Sequence, residues 1–400
     1  MIFEVLIAKN GQATLTINGR FIYSKYRPME EAAQFINNEY DPYKEGYVLI
    51  GLGLGYHAKI LSDRQFEKPI YILCFDQREL ELLKEMPFYE QLQQQENVFI
   101  CVQYSELVIK DSYQIFIPNV WLQVIESQHP LYWLLQDIKM KQVSYKRFEK
   151  LLLENFNANI QHGEFYLKQW RAELNVSNVA CLISSGPSLT EYTNWLKGRN
   201  DLFILCVGSA LKALLQENIV PHAVIITDGQ EEILKQLEDS GYDGKLFYLS
   251  TAAKKAVEYH KGERCILLQK GYDLAEKIAF EEKYPLLDTG GSVATTAYSL
   301  LHYFGFQRIV LFGQDLCVLN KQTHSLHSTS GRTVLEQESF INVQSNNGQQ
   351  VRTLPNLYSY LQWFEYYIKK NNNTTVYNTS VLGAKIKGTY LIGQEEFKLL

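Results

Sequence analysis

The segment SSGPSL at residues 184–189 has the composition of a turn that binds a phosphate group. It follows an apolar run typical of a buried strand and precedes a helical pattern. Gly186 lets the backbone pass close to a ligand, Pro187 fixes the start of the helix, and Ser188 can cap its first turn. Free amides and the positive end of the helix dipole would then face an anion. An ordinary strand-to-helix turn with a serine cap is the alternative. The candidate binding residues are Ser185, Gly186, Pro187, Ser188 and Leu189.

The segment GGSVATTA at residues 290–297 repeats this arrangement. Two glycines follow a short apolar segment that ends in Asp288, and a helical turn carrying hydroxyl groups comes next. Close packing of a helix on small residues explains the same letters. We expect the turns at Gly186 and Gly291 to converge from opposite sides on one pocket for a nucleotide phosphate. The candidate binding residues are Gly290, Gly291, Ser292 and Thr295.

Carboxylates end two further apolar runs, Asp228 in VIITDGQ and Asp315 in VLFGQDL. A carboxylate at a strand end can hold a ribose hydroxyl or a metal, and an ionised oxygen is too costly to bury without a partner. A helix cap or an ion pair is the alternative for either residue. Gln314, beside Asp315, and Gly208 and Ser209, after another apolar run, complete the candidate binding residues.

His324 and His327 lie in a polar segment soon after Asp315. A histidine there can act as a general base with little change in its pKa, and we predict this role for His324. A solvated side chain without a role is the alternative. The spacing of the two histidines resembles a metal-binding pair, but no suitable third ligand is evident, so we predict no metal. The candidate catalytic residues are His324, Asp228 and Asp315.

A third glycine-rich segment, GLGLG at residues 51–55, is followed by Asp76 at the end of the next apolar run. This pattern resembles the cofactor loop of methyltransferases or dinucleotide-binding proteins, with the spacing GxGxG rather than GxGxxG. A degenerate remnant of such a fold, used for assembly, explains the segment at least as well.

Two series of apolar runs, alternating with amphipathic segments, must position these residues. The first includes YVLIGLGLGYHAKIL and YILCFDQRELELLKE, and the second begins at Val179. Buried strands joined by helices are typical of a parallel sheet, and ligands bind at the carboxyl ends of its strands. We predict an α/β protein with two Rossmann-like domains. These are an N-terminal domain at residues 1–140, a helical connector at 141–175, and a doubly wound catalytic domain at 176–400 that includes a C-terminal helix and strand.

The composition is that of an ordinary globular protein with two or three domains. Of the 400 residues, 46% are hydrophobic and 21% are charged, which argues against disorder. The net charge is −5 with mixed signs along the chain, so we expect no nucleic acid partner. The first residues lack a signal-peptide pattern and no apolar run is long enough to span a bilayer, so we expect a cytoplasmic protein without membrane insertion. The six cysteines lie in or beside apolar runs, which predicts buried thiols.

Several segments together resemble the motility-associated factor (Maf) family of proposed flagellin glycosyltransferases. The central domain of that family is shared with 6-hydroxymethylpterin diphosphokinase-like (MptE-like) proteins. One block departs from the family pattern, because Asp228-Gly229 stands where the family often has an aspartate and a proline. The matching segments, between residues 179 and 389, are SGPSL, VGSALKALLQENIVPHAVIITDGQ, GGSVATTAYSLLHYFGFQRIVLFGQDL, the TH of KQTHS, and NTSVLGAKIKGT.

The resemblance implies a glycosyltransferase that works without a metal and whose catalytic domain is similar to bacterial sialyltransferases, a variant of the GT-A fold. Its donor would be a CMP-activated nonulosonic acid of the pseudaminic, legionaminic or sialic type, and no other cofactor is expected. Its acceptor would be Ser or Thr of flagellin. Two alternatives remain open: an ATP-dependent enzyme of the pterin diphosphokinase type, and a non-catalytic factor in flagellin assembly.

Overall fold

A computed structural model describes residues 1–102, 113–125, 131–173, 179–325, 328–329, 334 and 340–400. Its contacts divide the chain into two compact units, Met1–Lys141 and Gln142–Leu400. Each unit has a parallel sheet with helices, which confirms the predicted α/β class. His327 and the predicted domain start at residue 176 lie outside the described residues. Within the described part of the chain, no helix is both long enough and apolar enough to cross a membrane.

The first unit has short strands and helices that alternate after an initial pair of hairpins. One further helix, α6 (Tyr132–Ile160), includes the boundary between the two units. The other elements are β1 (Phe3–Ile7), β2 (Ala13–Ile17), β3 (Arg20–Phe21), α1 (Pro28–Glu39), β4 (Gly46–Ile50), α2 (Tyr56–Arg64), β5 (Ile70–Leu73), α3 (Gln77–Lys84), α4 (Tyr89–Gln93), β6 (Val98–Cys101), β7 (Tyr113–Phe116) and α5 (Asn119–Val124).

Two sheets organise the first unit. The hairpins form an antiparallel sheet in the order β1-β2-β3, and the remaining strands form a parallel sheet in the order β6-β5-β4-β7. The central strand β4 is buried along its whole length, as expected for an apolar run covered on both faces. From β4 the chain adds β5 and β6 on one side and then β7 on the other. The loop after β4 therefore lies where the winding of the sheet reverses.

The second unit contains the remaining described strands and helices. They are α7 (Leu167–Glu173), β8 (Val179–Ile183), α8 (Leu189–Tyr192), β9 (Phe203–Val207), α9 (Leu211–Gln216), β10 (Ala223–Ile226), β11 (Lys245–Leu249), α10 (Lys254–Tyr259), β12 (Arg264–Gln269), α11 (Asp273–Glu282), β13 (Leu286–Leu287), α12 (Val293–Phe304), β14 (Arg308–Phe312), β15 (Ile341–Gln344), β16 (Gln350–Thr353), α13 (Pro355–Lys370), β17 (Thr375–Asn378), β18 (Thr389–Leu391) and α14 (Gln394–Lys398).

A parallel sheet in the order β13-β12-β11-β10-β9-β8-β14-β17-β18 forms the centre of the second unit. The chain starts at β8, adds β9 to β13 on one side, and then returns to place β14 on the other side of β8. The carboxyl ends of β8 and β14 therefore flank the crevice in which doubly wound sheets bind ligands. The six cysteines are buried and free, which confirms the prediction of buried thiols.

Candidate functional site

The SSGPSL turn follows β8 and packs directly against the loop after β14. The Ser184 amide donates to the Phe312 carbonyl at 2.8 Å, and the Gly186 amide donates to the Gly313 carbonyl at 2.8 Å. A Cβ on Gly186 would overlap both the Gly313 carbonyl and the Asp315 carboxylate. Glycine at this position therefore lets two parts of the protein pack closely together. From the sequence we had expected Gly186 to allow close contact with a ligand instead.

Asp315 joins three loops at this crevice. Its side chain is only 1% exposed; Oδ2 accepts from the Ser188 amide at 2.9 Å, and Oδ1 accepts from the Ser380 hydroxyl. Burial raises the pKa of Asp315, while the hydrogen bonds from Ser188 and Ser380 act in the opposite direction. We expected this carboxylate to hold a ligand hydroxyl and the Ser188 amide to face an anion. In the structure they bind each other, because the turn lies directly over the buried carboxylate.

The groups at this crevice that a ligand could contact are side-chain hydroxyls rather than free backbone amides. The Ser184 hydroxyl donates to Gln314 Oε1 at 2.6 Å, and the hydroxyls of Ser185 and Ser209 lie 2.8 Å apart. The Ser325 hydroxyl is buried and has no hydrogen-bond partner among the described residues. A buried polar group left unpaired costs about 1 to 3 kcal/mol, so a ligand oxygen that pairs with it would gain this energy. The crevice therefore offers a ligand oxygen the hydroxyl of Ser325 as a donor.

His324 is held beside the same crevice by the residue that follows it. The Ser325 amide donates to the Ser185 carbonyl at 2.8 Å, and His324 Nδ1 lies 2.8 Å from the Thr323 hydroxyl. Burial lowers the pKa of His324, so its imidazole is neutral at pH 7. In the tautomer in which Nδ1 donates to Thr323, Nε2 carries the free lone pair that a general base requires.

Asp228 lies at the same edge of the sheet, at the end of β10. Its carboxylate is exposed to solvent and accepts from the Gln230 amide at 2.9 Å. Since β10 is two strands from β8, the ends of these two strands lie about 10 Å apart. Gly208 and Ser209 follow β9, the strand between them. A ligand of nucleotide size could therefore contact both the turn and this carboxylate.

Two asparagines of α6 contact the loops after β10 and β11 at this edge of the sheet. They were not predicted from the sequence. Asn155 Nδ2 donates to the carbonyls of Gly229 and Thr251 at 2.9 and 3.3 Å. Asn159 Nδ2 donates to the carbonyls of Ser250 and Ala252 at 3.1 and 2.8 Å. Their spacing of four residues places both on one helix face, which is the signal that could have identified them. They bond the backbone carbonyls of the loops after β10 and β11 at this edge of the sheet.

The GGSVATTA turn begins α12, and its sharing one pocket with the SSGPSL turn stays a prediction. It follows β13, which is five positions from β8 in the sheet, while α12 itself packs against β8, β9 and β10. Thr295 Oγ1 accepts from the amides of Gly290 and Ser292 at 3.0 and 3.2 Å. A Cβ on Gly290 would lie 2.5 Å from the Trp363 ring. This turn caps α12 and packs against α13.

A cavity of about 830 Å³ opens at the opposite, amino-terminal edge of the same sheet, beside the start of β12. Its buried charges are already paired, because Glu164 Oε1 accepts from Arg264 at 2.6 Å and Glu164 Oε2 accepts from the Tyr248 hydroxyl at 2.7 Å. Large pockets are the usual place for a ligand. Here the reversal of strand order and the exposed Asp228 favour the carboxyl edge instead.

Three known proteins or families are similar to this chain. Residues 150–321 match the sequence model of the family described as 6-hydroxymethylpterin diphosphokinase MptE-like. An uncharacterized protein of Treponema pallidum is 43% identical over 60 residues, which are 14% of this chain and 20% of that protein. The match thus spans a fifth of that relative's length. The structure of the Maf glycosyltransferase from Magnetospirillum magneticum AMB-1 aligns with 99% of this chain and 72% of its own, at 13% identity and a TM-score of 0.51. The chain therefore contains an MptE-like domain and is similar in fold to a Maf glycosyltransferase, as the resemblance predicted.

Proposed function

We propose that the chain is a glycosyltransferase that moves a nonulosonic acid from its CMP-activated donor to Ser or Thr of flagellin, in the cytoplasm and before export. The observation that carries this proposal is the hydroxyl-lined crevice between the ends of β8 and β14, with the neutral His324 beside it. The similarity in fold to the Maf glycosyltransferase supports the same chemistry.

The reaction needs a stabilised leaving group and a base. The bond from the anomeric carbon to the phosphate oxygen breaks through an oxocarbenium-like state, and CMP leaves with the electron pair. The hydroxyls of Ser325 and Ser188 would donate to the phosphate as its charge grows. Both belong to segments already fixed by hydrogen bonds, so little reorganisation is needed. The phosphate monoester leaves readily with these donors, and we propose that no metal takes part.

The acceptor hydroxyl forms the new bond to the anomeric carbon and gives its proton to His324. A neutral imidazole at pH 7 suits this step, and the position of His324 next to Ser325 would bring Nε2 within reach of an acceptor hydroxyl at the donor site. Asp228, exposed at the end of β10, would accept hydrogen bonds from ribose or sugar hydroxyls. Gln314 and Ser209 would complete the wall of the donor site through the hydroxyls that they already orient.

The test compares ligand binding with transfer. Calorimetry at neutral pH should show CMP binding without magnesium. His324→Ala should keep this binding and lose transfer to flagellin, measured by intact mass. Because burial lowers the pKa of His324 below its ordinary value of 6.5, the wild-type rate should stay constant above pH 6.5 and fall at lower pH. His162→Ala, at the opposite cavity, is the control and should change neither property. Loss of CMP binding in His162→Ala alone would place the donor in that cavity and contradict the proposal.

The MptE-like match favours a second candidate, an ATP-dependent pterin diphosphokinase. In that enzyme Asp228 would bind magnesium, because its exposed carboxylate can face a triphosphate. Binding of ATP only with magnesium, and no binding of CMP, would favour this candidate over the transferase. An unchanged flagellin mass in a strain lacking the gene, together with lost secretion, would instead indicate an assembly factor.

A further inference from the structure

The first unit has its own ligand-binding position, the GLGLG loop after β4, where the winding of its sheet reverses. Doubly wound sheets bind nucleotides at such a loop, because its amides point at the phosphate groups. The question is which group these amides contact here.

Glu79, on helix α3, supplies the acceptors for this loop. Its Oε2 accepts from the amides of Leu52 and Gly53 at 2.8 and 2.6 Å, and its Oε1 accepts from those of Phe75 and Asp76 at 2.7 and 3.1 Å. The Glu79 side chain is fully buried. A carboxylate surrounded by four amide donors occupies the position that a bound phosphate or carboxylate would take.

The remaining space around the loop is filled by large side chains. A Cβ on Gly51 would overlap the Trp121 ring, one on Gly53 would lie 2.7 Å from the Tyr23 hydroxyl, and one on Gly55 would overlap Leu83. Trp121 is fully buried, and the Tyr23 hydroxyl donates to the Leu52 carbonyl at 3.1 Å. The glycines therefore admit parts of the protein rather than a cofactor.

We propose that the loop at residues 51–55 is an anion-binding site permanently occupied by the carboxylate of Glu79, so that the first unit binds no nucleotide cofactor at this position. Glu79 acts as an internal ligand that joins the loops after β4 and β5. Burial raises the pKa of Glu79 to about 7, and the four amides favour its charged form. The nucleotide site proposed above is consistent with this assignment, because it lies in the second unit.

Hydrogen exchange of the full wild-type chain tests this proposal directly. The peptide that contains Leu52 and Gly53 should exchange slowly without any ligand, because both amides are buried and bonded to Glu79. S-adenosylmethionine, NAD⁺ and CMP should each leave this exchange unchanged. Fast exchange that slows when one of these nucleotides is added would overturn the proposal.

Removing the internal ligand should create a real anion site. Glu79→Ala deletes a fragment equivalent to acetate, so acetate should bind in the gap and raise the melting temperature of this variant. We expect a rise of about 2 to 4 °C, relative to chloride of equal ionic strength, when acetate exceeds its Kd several-fold. Glu79→Gln keeps the shape but leaves no room for acetate, and should show no rise.

Glu81→Ala controls for general salt effects, because Glu81 lies on the same helix but is exposed and paired with Arg78. It should show no acetate effect. An equal effect of acetate on all variants, or no effect on a folded Glu79→Ala, would contradict the role of Glu79 as an internal ligand. If Glu79→Ala does not fold, the wild-type exchange measurement decides the question. Neither the hydrogen-exchange result nor the acetate result depends on whether the second unit is a transferase.

Discussion

The carboxylate of Asp315 offers a sharp test of how the crevice is built, because two substitutions separate its hydrogen bonds from its charge. Asp315→Ala removes the acceptor for the Ser188 amide and the Ser380 hydroxyl. Asp315→Asn keeps one oxygen for the Ser188 amide, and its amide group can donate to the Ser380 hydroxyl oxygen. Both variants remove the buried charge. They therefore differ mainly in how many polar groups are left without a partner.

The expected cost follows from those partners. Each buried donor left unpaired costs about 1 to 3 kcal/mol, so Asp315→Ala should lower the free energy of unfolding by about 2 to 5 kcal/mol. Asp315→Asn should lower the free energy of unfolding by about 1 kcal/mol or less, because the contacts with the Ser188 amide and the Ser380 hydroxyl can both be kept. Asp201→Ala is the control, because Asp201 is exposed and paired only with Arg199 at the surface, and it should cost less than about 1 kcal/mol.

The assay is urea unfolding of the full chain from about pH 4, near the ordinary pKa of an aspartate, up to pH 8. Burial raises the pKa of Asp315 in the folded protein, so its protonation favours the folded state at low pH, and this contribution is lost as pH rises through the folded pKa. The stability of the wild type relative to Asp315→Asn should therefore decrease as pH rises. Equal losses in Asp315→Ala and Asp315→Asn, or a difference from wild type that does not change with pH, would refute the reasoning.

Four further substitutions test other parts of the structure. Ser325→Ala removes a buried hydroxyl that has no partner in the described part of the chain, so stability to urea should hardly change while CMP affinity in calorimetry should fall about tenfold or less. Glu79 has a pKa raised to about 7, so wild-type melting temperature should fall from pH 4.5 to 7, and Glu79→Gln should flatten this trend. Asn159→Ala leaves two carbonyls unpaired and should lower the free energy of unfolding by about 1 to 3 kcal/mol in urea. Gly290→Ala places a methyl group against the Trp363 ring and should also lower the free energy of unfolding by about 1 to 3 kcal/mol. An unchanged urea midpoint would contradict that contact.

The α/β class and the importance of the SSGPSL turn could be predicted because both depend on local patterns. Apolar runs identify buried strands, and a Gly-Pro-Ser sequence between a strand and a helix marks a tight turn. The arrangement of the turns at Gly186 and Gly291 relative to each other could not be derived in this way, because local patterns do not give the order of strands in a sheet. Four strands, β9 to β12, separate the strands that these turns follow.

The role of Glu79 was missed for a related reason. Asp76 and Glu79 have the spacing of a capping box, and both partners of that box are indeed formed at the start of α3. The same carboxylate also reaches the amides of Leu52 and Gly53, more than 20 residues earlier in the chain. Such a tertiary contact leaves no periodic signal in the sequence, so the glycine-rich loop alone resembled a cofactor site.

The central claim is that the ligand binds at the carboxyl ends of β8 and β14, and a crystal structure of the chain with CMP, without magnesium, tests it most directly. The phosphate should lie between the SSGPSL turn and Ser325, with His324 beside the oxygen that would carry the sugar. CMP density in the cavity near Arg264 or at the loop at residues 51–55, with the crevice empty, would contradict the account.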